Sequence, residues 1–326
     1  MNAHSKRPPI YCIAPSGLVP SKQGLYAGGE WLVDQGYEVF NLACIEREFD
    51  RFAGDDKSRL DEINAIYQLP QTDLSPVVMS IRGGYGLTRL LPGIDWFSLA
   101  CAIEKGVTLV GHSDFTALQI ALLAKTGAMS LAGPMLSSDF SLPDAGEQSV
   151  SSYTWSAFEQ AILGKSIDLN IKKDQEFLDQ TISLTLKDKA MLWGGNLTIL
   201  TSLIGTPYFP SLEQISGGIL FVEDVNEHPY RIERMLLQLL QAGILGTQSA
   251  VLLGDFSAYQ LGPVDKHYDL TQALTRVQDE LRSQGCATQL ITGLPFGHIA
   301  DKATLPVGVF IELEANFDGF RLQSSW

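Results

Sequence analysis

The N-terminal part of the chain, up to about residue 135, alternates short apolar runs with longer amphipathic segments. The apolar runs at 10–14, 38–42, 77–81 and 107–110 predict strands, and the segments at 24–35, 58–67 and 115–124 have helical spacing. This alternation predicts a parallel sheet covered by helices. In such sheets the functional groups lie in loops beyond the carboxyl ends of the strands. Candidate site residues should therefore follow predicted strands.

The second half of the chain predicts a mixed α+β arrangement. Segments 218–222 and 250–253 predict buried strands, Pro229–Gln241 predicts a helix, and 308–322 predicts strands around an Asp318-Gly319 turn. Between the halves, the stretch SSDFSLPDAGEQSVSS at 137–152 has the composition of a loop. We therefore predict an N-terminal domain over 1–140, a linker region over 141–180 and a smaller C-terminal domain over 181–326.

Composition and charge narrow the function classes. The 326 residues are 45% hydrophobic and 18% charged, as in an ordinary globular protein, and the net charge of −14 would repel nucleic acid. No apolar stretch has the length of a membrane span, and the apolar run before Pro15 is too short for a signal peptide, so we expect a cytoplasmic protein. The scattered cysteines predict buried free thiols, with neither a zinc site nor a disulfide framework: Cys12, Cys44, Cys101 and Cys286.

Ser113 is a candidate nucleophile. The segment VTLVGHSDFTALQIALLAKTG predicts a strand, a tight turn at Ser113 and a helix. A side chain at such a turn projects from the sheet edge, and the N–H groups at the helix start can stabilise an oxyanion. Alternatively, Ser113 or Asp114 only caps the helix. Phe115 occupies the last glycine position of G-x-S-x-G, so this is not an α/β-hydrolase elbow.

A serine nucleophile needs a base, and the base needs an acceptor that orients it. His298, in the turn LPFGH after a predicted strand, is the best base by elimination. The other histidines lie in polar segments, at a helix start or beside Ser113 itself: His4, His267, His228 and His112. Glu223 and Asp224 both follow a buried strand, where a carboxylate needs a partner. Spacing does not choose between them, and either could instead cap the following helix or pair with an arginine.

Several longer motifs together resemble the LD-carboxypeptidases over nearly the whole chain. They are RGGYGLTRLL at 82–91, GHSDFTALQ at 111–119, GPM at 133–135, LWGGNLTILTSLIGTP at 192–207, ILFVEDVNEHPYRIERMLLQL at 219–239 and ITGLPFGH at 291–298. This family of serine peptidases includes the muramoyltetrapeptide carboxypeptidases of bacterial peptidoglycan recycling. The resemblance implies Ser113 as nucleophile, Glu223 as the acid and His298 as the base.

The resemblance also implies a fold and a substrate. The N-terminal domain would be like class I glutamine amidotransferases, and the C-terminal domain would bring the glutamate and histidine to the cleft between the domains. The substrate would be a murein tetrapeptide, cleaved between the L-centre of its diamino acid and the terminal D-alanine. No cofactor or metal is implied, and homodimers are common in such families.

The sequence leaves alternatives for the residues that would form the oxyanion hole and bind the terminal carboxylate. For the oxyanion hole we favour the N–H of Asp114 with that of Gly83 or Gly84, because glycine lets the backbone approach a substrate. The glycines could equally serve a tight turn. A carboxypeptidase must also bind a terminal carboxylate, and the sequence does not rank the candidate arginines: Arg82, Arg89, Arg231 and Arg234.

Three alternative functions would use some of the same residues. A microcin-immunity-type peptidase of the same superfamily would keep the triad and hydrolyse a peptidyl-nucleotide amide. The aromatic insertion expected of that group for stacking on the nucleotide is not evident in the sequence, although Trp193 of WGGN could supply an aromatic face unless it only packs. A cysteine-dependent glutamine amidotransferase is disfavoured because Ser113 occupies the nucleophile position. A non-enzymatic module could bind an anion at the glycine loop and the Ser113 turn.

Overall fold

The computed structural model describes residues 6–19, 21–70, 74–141, 150–172, 184–186 and 188–326. The strands in chain order are β1 (Ile10–Ile13), β2 (Val39–Phe40), β3 (Val77–Ser80), β4 (Thr108–Gly111), β5 (Ser130–Ala132), β6 (Ser166–Lys172), β7 (Leu184–Thr185), β8 (Ala190–Asn196), β9 (Ile219–Val225), β10 (Ala250–Ser257), β11 (Gln289–Thr292), β12 (Leu305–Val307), β13 (Val309–Asn316) and β14 (Gly319–Ser325). The helices are α1 (Lys22–Asp34), α2 (Asp56–Asn64), α3 (Trp96–Glu104), α4 (Thr116–Thr126), α5 (Ser152–Leu163), α6 (Leu197–Leu203), α7 (Leu212–Ile215), α8 (Pro229–Gln241) and α9 (Leu270–Ser283).

The first sheet has the order β12-β5-β4-β3-β1-β2. Strands β1 to β5 are parallel, and β12 pairs antiparallel with β5 at one edge. Residues of β3 and β4 are all buried, as expected for strands covered on both faces. The chain order reverses at β1, where Ile10 pairs with both Val39 and Val77, so clefts at the carboxyl ends of the strands are expected near it.

Helices cover both faces of this sheet. Apolar residues of α1 and α5 pack on one face, and those of α2, α3 and α4 pack on the other. Every residue of α4 from Thr116 to Leu123 is buried, because α4 lies between the first sheet and the elements α6 and β8 of the second half. The buried stretch is mostly apolar, as expected for a helix in such an interior position, and includes the polar residues Thr116 and Gln119. The helix that follows Ser113 is therefore held rigidly.

The second sheet has the order β11-β10-β9-β8-β13-β14-β6, and β7 pairs with β13 beside this path. Strands β8 to β11 are parallel, whereas β13, β14 and β6 are joined by antiparallel pairing. Helices α8 and α9 pack together and bury their apolar faces. The predicted fold class, a parallel-sheet N-terminal part followed by a separate mixed α+β part, is confirmed.

The predicted linker region over 141–180 is described only in part, because 142–149 and 173–180 lie outside the described residues. Its described residues include α5, which packs on the first sheet, and β6, which pairs with β14 of the second sheet. In the other direction, β12 of the second half adds an edge strand to the first sheet. The domain boundaries stay a prediction. None of the described helices combines the length and apolarity that crossing a bilayer requires.

Candidate active site

Ser113 lies at the junction of β4 and α4, at the carboxyl edge of the first sheet. Its φ angle is +61°, a left-handed conformation that is uncommon for a residue with a side chain. Such strain persists only where the surroundings hold it, and here the buried β4 and α4 do so. The residue before α4 is Phe115, and no side chain caps the helix. The structure therefore gives no support to the alternative that Ser113 or Asp114 is a helix cap.

The glycine loop after β3 touches the Ser113 turn. A Cβ on Gly83 would lie 2.8 Å from Ser113 Oγ and 3.3 Å from the backbone nitrogen of Asp114. Gly84 is exposed and has a φ angle of +104°, which favours glycine. The structure thus brings Gly83, Gly84 and the Asp114 nitrogen together beside the serine.

The side chain of Asp114 turns into the protein. It is buried, and one carboxylate oxygen accepts hydrogen bonds from Ser16 Oγ at 2.7 Å and from the Leu87 nitrogen at 3.0 Å. Burial raises the pKa of this carboxyl group, and the two hydrogen bonds oppose the shift. Asp114 therefore joins the Ser113 turn to Ser16 and to the end of the glycine loop through its side chain.

Glu223 and His298 lie in contact. His298 Nδ1 is 2.9 Å from Glu223 Oε2, and the glutamate side chain is fully buried whereas 24% of the histidine side chain is exposed. Gly297 makes this approach possible, because its φ angle is +139° and a Cβ there would lie 3.0 Å from the Cβ of Asp255. The contact fixes the orientation of the imidazole ring and leaves Nε2 for another partner.

Asp224 has a different role. Its Oδ2 accepts hydrogen bonds from the backbone nitrogen of Thr198 at 2.9 Å and from Thr198 Oγ1 at 2.8 Å. Burial and the neighbouring charge of Glu223 raise the pKa of Asp224. Of the two carboxylates that the sequence left as alternatives, the structure therefore places Glu223 against His298 and Asp224 against the start of α6.

Asn196 is a site residue that the sequence analysis missed. Its Nδ2 is 3.1 Å from Glu223 Oε1 and 3.0 Å from Asp224 Oδ1, so one amide group donates to both carboxylates. Its backbone nitrogen donates to Thr116 Oγ1 on the helix that follows Ser113, at 3.0 Å. Asn196 thus joins the acid strand β9 to the nucleophile helix α4. The WGGN motif, in which Asn196 follows two glycines, is the sequence signal that marks this position.

The tryptophan of this motif lies away from the site. Trp193 is fully buried, and its Nε1 donates to Gln248 Oε1 at 2.9 Å while its ring packs edge-on against Phe209. Packing therefore accounts for Trp193. The two glycines that follow it are required by close contacts, since a Cβ on Gly195 would lie 2.5 Å from Thr116 Oγ1.

His298 also lies close to the Ser113 turn. Its ring centroid is 5.2 Å from that of His112, the residue directly before Ser113. His112 is buried, with Nδ1 3.0 Å from the carbonyl oxygen of Gly133 and Nε2 3.2 Å from Lys302 Nζ. Burial, the positive charge of Lys302 and the proximity of His298 hold the pKa of His112 well below its usual value. His112 is therefore neutral, donating through Nδ1 and accepting through Nε2.

A buried ion pair completes this network. Lys302 Nζ lies 2.7 Å from Asp139 Oδ1, and both side chains are only 1% exposed. Lys302 thereby joins the His298 loop to the Ser113 turn and to the segment after β5. No sequence signal marked Lys302, because its partners are distant in the chain. A cavity of about 270 Å³ beside this network is bordered by His298, Lys302, Asp139 and Ser151.

Within the part of the chain that the structure describes, no group of three or more His, Cys, Asp and Glu side chains is arranged to hold a metal ion. Cys12 and Cys44 are buried as predicted, whereas Cys101 and Cys286 are only partly buried. Burial raises the pKa of the Cys12 thiol to about 12. Such thiols are unreactive. The functional groups that the structure describes at the site include the Ser113 hydroxyl, the His298 imidazole and the Glu223 carboxylate.

Comparisons with known proteins match the whole architecture. A family model described as the LD-carboxypeptidase N-terminal domain matches residues 10–133, and one described as the LD-carboxypeptidase C-terminal domain matches residues 189–313. The probable murein peptide carboxypeptidase of Bacillus subtilis is 31% identical over 309 residues, which cover 94% of this chain and 88% of that protein. The microcin C7 self-immunity protein MccF of Escherichia coli is 26% identical, covering 92% of this chain and 87% of that one.

Solved structures lead to the same family as the sequence comparisons. The crystal structure of a muramoyltetrapeptide carboxypeptidase from Oxalobacter formigenes has a TM-score of 0.82 and 40% sequence identity, and the match covers 96% of this chain and 97% of that chain. The MccF structure in complex with glutamyl sulfamoyl guanosine has a TM-score of 0.78 at 22% identity, which shows a common fold. The family resemblance found in the motifs is confirmed, and the chain belongs to the LD-carboxypeptidase family.

Proposed function

We propose that this protein is a serine carboxypeptidase that removes the terminal D-alanine from murein tetrapeptides, with Ser113, His298 and Glu223 as its catalytic triad. The observation that carries the proposal is the 2.9 Å contact between His298 Nδ1 and Glu223 Oε2, with the His298 ring centroid 5.2 Å from that of His112, the residue directly before Ser113. A base oriented by a buried carboxylate next to a strained serine is the arrangement that nucleophilic catalysis requires.

In the proposed reaction, His298 Nε2 removes the proton from Ser113 Oγ. The oxygen attacks the carbonyl carbon of the diamino acid, and the resulting imidazolium returns the proton to the amine of D-alanine as the peptide bond breaks. Water then hydrolyses the acyl-enzyme by the same route and regenerates Ser113. Glu223 stabilises the imidazolium and keeps Nδ1 protonated, so that Nε2 is the basic nitrogen.

The oxyanion of each tetrahedral intermediate would be held by backbone N–H groups. We assign this role to Asp114 together with Gly83 or Gly84. The assignment is supported by the closeness of the Gly83 backbone to Ser113 Oγ and to the Asp114 nitrogen. A donor that is already in place for the developing charge costs no reorganisation when the reaction occurs.

The substrate assignment is supported by a sequence relative named as a probable murein peptide carboxypeptidase and by a structural neighbour that is a muramoyltetrapeptide carboxypeptidase. A role in peptidoglycan recycling, a cytoplasmic location and a homodimer are parts of the same proposal. Cell fractionation and sedimentation of the purified protein would test the last two.

Mass spectrometry tests the activity directly. The tetrapeptide L-Ala-γ-D-Glu-diamino acid-D-Ala is incubated with the wild type and with Ser113→Ala, alongside a peptide that ends in L-alanine. We expect the wild type alone to release one alanine, and only from the D-terminated peptide. Intact D-terminated peptide with well-folded wild type would contradict the proposal.

The microcin-immunity alternative keeps the triad but changes the substrate. The burial of Trp193 removes the one aromatic contact that the sequence suggested for a nucleotide. A peptidyl-nucleotide amide in the same assay separates the two functions, because the proposed enzyme should leave it intact. A binding module would instead bind peptide equally well in wild type and Ser113→Ala and release no alanine from either.

A further inference from the structure

We propose that Arg82 and Arg51 form the subsite that binds the terminal carboxylate of the substrate's D-alanine. This inference rests on the proposed function and selects one arginine, Arg82, from the candidates that the sequence left open. It also adds Arg51, which no sequence pattern had marked.

The guanidinium group of Arg82 lies on the glycine-loop side of the site. Its Nη1 donates a hydrogen bond to the carbonyl oxygen of Leu18 and lies 3.6 Å from the position that a Cβ on Gly17 would occupy. The backbone nitrogen of Gly17 in turn donates to the carbonyl oxygen of Gly83 at 3.1 Å. Arg82 is therefore anchored beside the same loop that contacts Ser113.

Arg51 reaches this region from another segment. Its carbonyl oxygen accepts a hydrogen bond from the Leu18 nitrogen at 3.0 Å, and its guanidinium carbon lies 5.6 Å from the ring centroid of Tyr85. Arg51 and Tyr85 are exposed, and Arg82 is partly exposed. The backbone nitrogen of Leu18 thus binds the backbone of Arg51, and the carbonyl oxygen of Leu18 binds the side chain of Arg82. A ligand in solvent can reach both arginines.

These two arginines differ from most others in the protein because neither has an acidic partner among the residues that the structure describes. Ion pairs within 4.0 Å bind Arg7, Arg47, Arg59, Arg89, Arg231, Arg276, Arg282 and Arg321. Over the described ranges, no carboxylate lies within that distance of Arg51 or Arg82. Among the earlier candidates, Arg89 is occupied by Asp56 and Arg231 by Glu227, whereas Arg234 lies on the exposed face of α8.

Two unpaired guanidinium groups in one place repel each other. Burial, and next the positive charge of Arg51, lower the pKa of Arg82 from its usual value, as expected for two guanidinium groups that lie near each other. The protein as a whole is strongly acidic, with a net charge of −14, so the pair is a local positive site. A carboxylate would offset the repulsion and could accept two hydrogen bonds from a guanidinium.

The terminal carboxylate is the anion that fits this position. It belongs to the residue directly after the scissile carbonyl, and consecutive residues are only about 3.8 Å apart. Because the loop that begins at Arg82 continues through Gly83 to the side of Ser113, an anion held at its start is within reach of the scissile bond. Carboxylates further along the peptide are alternative anions, and the experiment distinguishes them.

Steady-state kinetics on three peptides tests the proposal. They are the tetrapeptide, the same peptide ending in D-alaninamide, and one with D-isoglutamine in place of γ-D-Glu. The proteins are the wild type, Arg82→Gln, Arg51→Gln and the control Arg234→Gln, each checked by thermal unfolding. We expect amidation of the D-alanine to lower the kcat/KM of the wild type by about 10- to 100-fold. On the tetrapeptide with a free terminal carboxylate, Arg82→Gln should lower kcat/KM by a similar factor, mainly by raising KM.

The decisive measurement combines the arginine substitution with amidation of the substrate. In Arg82→Gln, amidation of the terminus should have little further effect, because the interaction is already lost. Arg51→Gln should show the same behaviour in weaker form, which supports the assignment even if Arg82→Gln folds poorly. Arg234→Gln should match the wild type on every peptide.

Other outcomes overturn the assignment. If amidation lowers kcat/KM in Arg82→Gln and Arg51→Gln as much as in the wild type, the pair does not hold the terminal carboxylate. A different result would be that replacing γ-D-Glu by D-isoglutamine lowers kcat/KM in the wild type but not in these variants, whereas amidation of the terminus still lowers it in all of them. The pair would then bind the glutamate carboxylate instead. A wild type that cleaves none of the peptides contradicts the proposed function, whereas an active wild type with unaffected arginine variants contradicts only this subsite.

Discussion

Gly83 lies so close to Ser113 that a methyl group on Gly83 would be 2.7 Å from the Cβ of the serine. The glycine loop and the Ser113 turn must therefore move apart if the site is to accept a larger residue. We expect Gly83→Ala to lower kcat by about 100-fold or more, because a displaced oxyanion donor costs roughly that much. Overpacking should also cost about 1–3 kcal/mol in the free energy of unfolding. Tetrapeptide kinetics and denaturant unfolding measure the two effects.

Gly127→Ala is the matched control. Gly127 ends α4 with a φ angle of +71°, and an added Cβ would meet no atom within 4 Å. This variant should lose about 1 kcal/mol of stability and keep wild-type kcat. Full activity in Gly83→Ala would show that the loop does not take part in the reaction.

The neighbours Glu223 and Asp224 should respond differently to loss of charge. Glu223→Gln keeps the size of the side chain that contacts His298 but removes the charge that stabilises an imidazolium. We expect kcat to fall by about 10³- to 10⁴-fold, with little change in KM. Rapid-quench or steady-state assays on the tetrapeptide would measure the fall.

Asp224→Asn is the control for that change. Asp224 contacts Thr198 and Asn196 rather than His298, so its variant should lose about 1–3 kcal/mol of stability and less than about tenfold in kcat. Similar losses of kcat in both variants would mean that the two carboxylates act as one unit.

His112 should make stability depend on pH. Its pKa is lowered in the fold by burial and by Lys302, so below about pH 6.5 the unfolded chain binds a proton that the fold does not. The contribution of His112 to the free energy of unfolding is therefore fully present above about pH 6.5. It decreases as the pH falls towards the lowered pKa, by up to about 1.4 kcal/mol per pH unit.

Chemical unfolding between pH 5 and pH 7 measures this effect as the difference between the wild type and His112→Gln. Glutamine can replace both hydrogen bonds but does not titrate. The difference in unfolding free energy, wild type minus variant, should rise with pH. A difference that is constant or falls with pH would contradict a neutral, buried His112.

The ion pair between Lys302 and Asp139 should be strongly coupled. Lys302→Met leaves a buried carboxylate without its partner, and we expect a loss of about 3–5 kcal/mol. The double variant Lys302→Met, Asp139→Asn removes both charges and should be more stable than Lys302→Met alone. Urea unfolding of the two single variants and the double variant gives the coupling energy. Additive losses would show that the pair is not coupled.

Local patterns were sufficient for much of the first half of the fold. The parallel sheet and the strand, turn and helix around Ser113 follow from runs of apolar residues, because burial on both faces requires them. In the tail, the Asp318-Gly319 signal correctly predicted the antiparallel pair β13 and β14. The short strand β12 could not be predicted, since its pairing with β5 joins segments far apart in the chain.

For the site, the sequence by itself determined the candidates Ser113 and His298, because each follows a strand in a tight turn, and family motifs added Glu223. Only the tertiary structure placed Glu223 rather than Asp224 against His298, because the two are neighbours in the chain and differ only in what surrounds each carboxylate. Asn196 and Lys302 likewise have ordinary sequence surroundings, and they join the site only where separate segments pack together. Local physics determines the elements, whereas contacts between distant elements determine which polar groups meet.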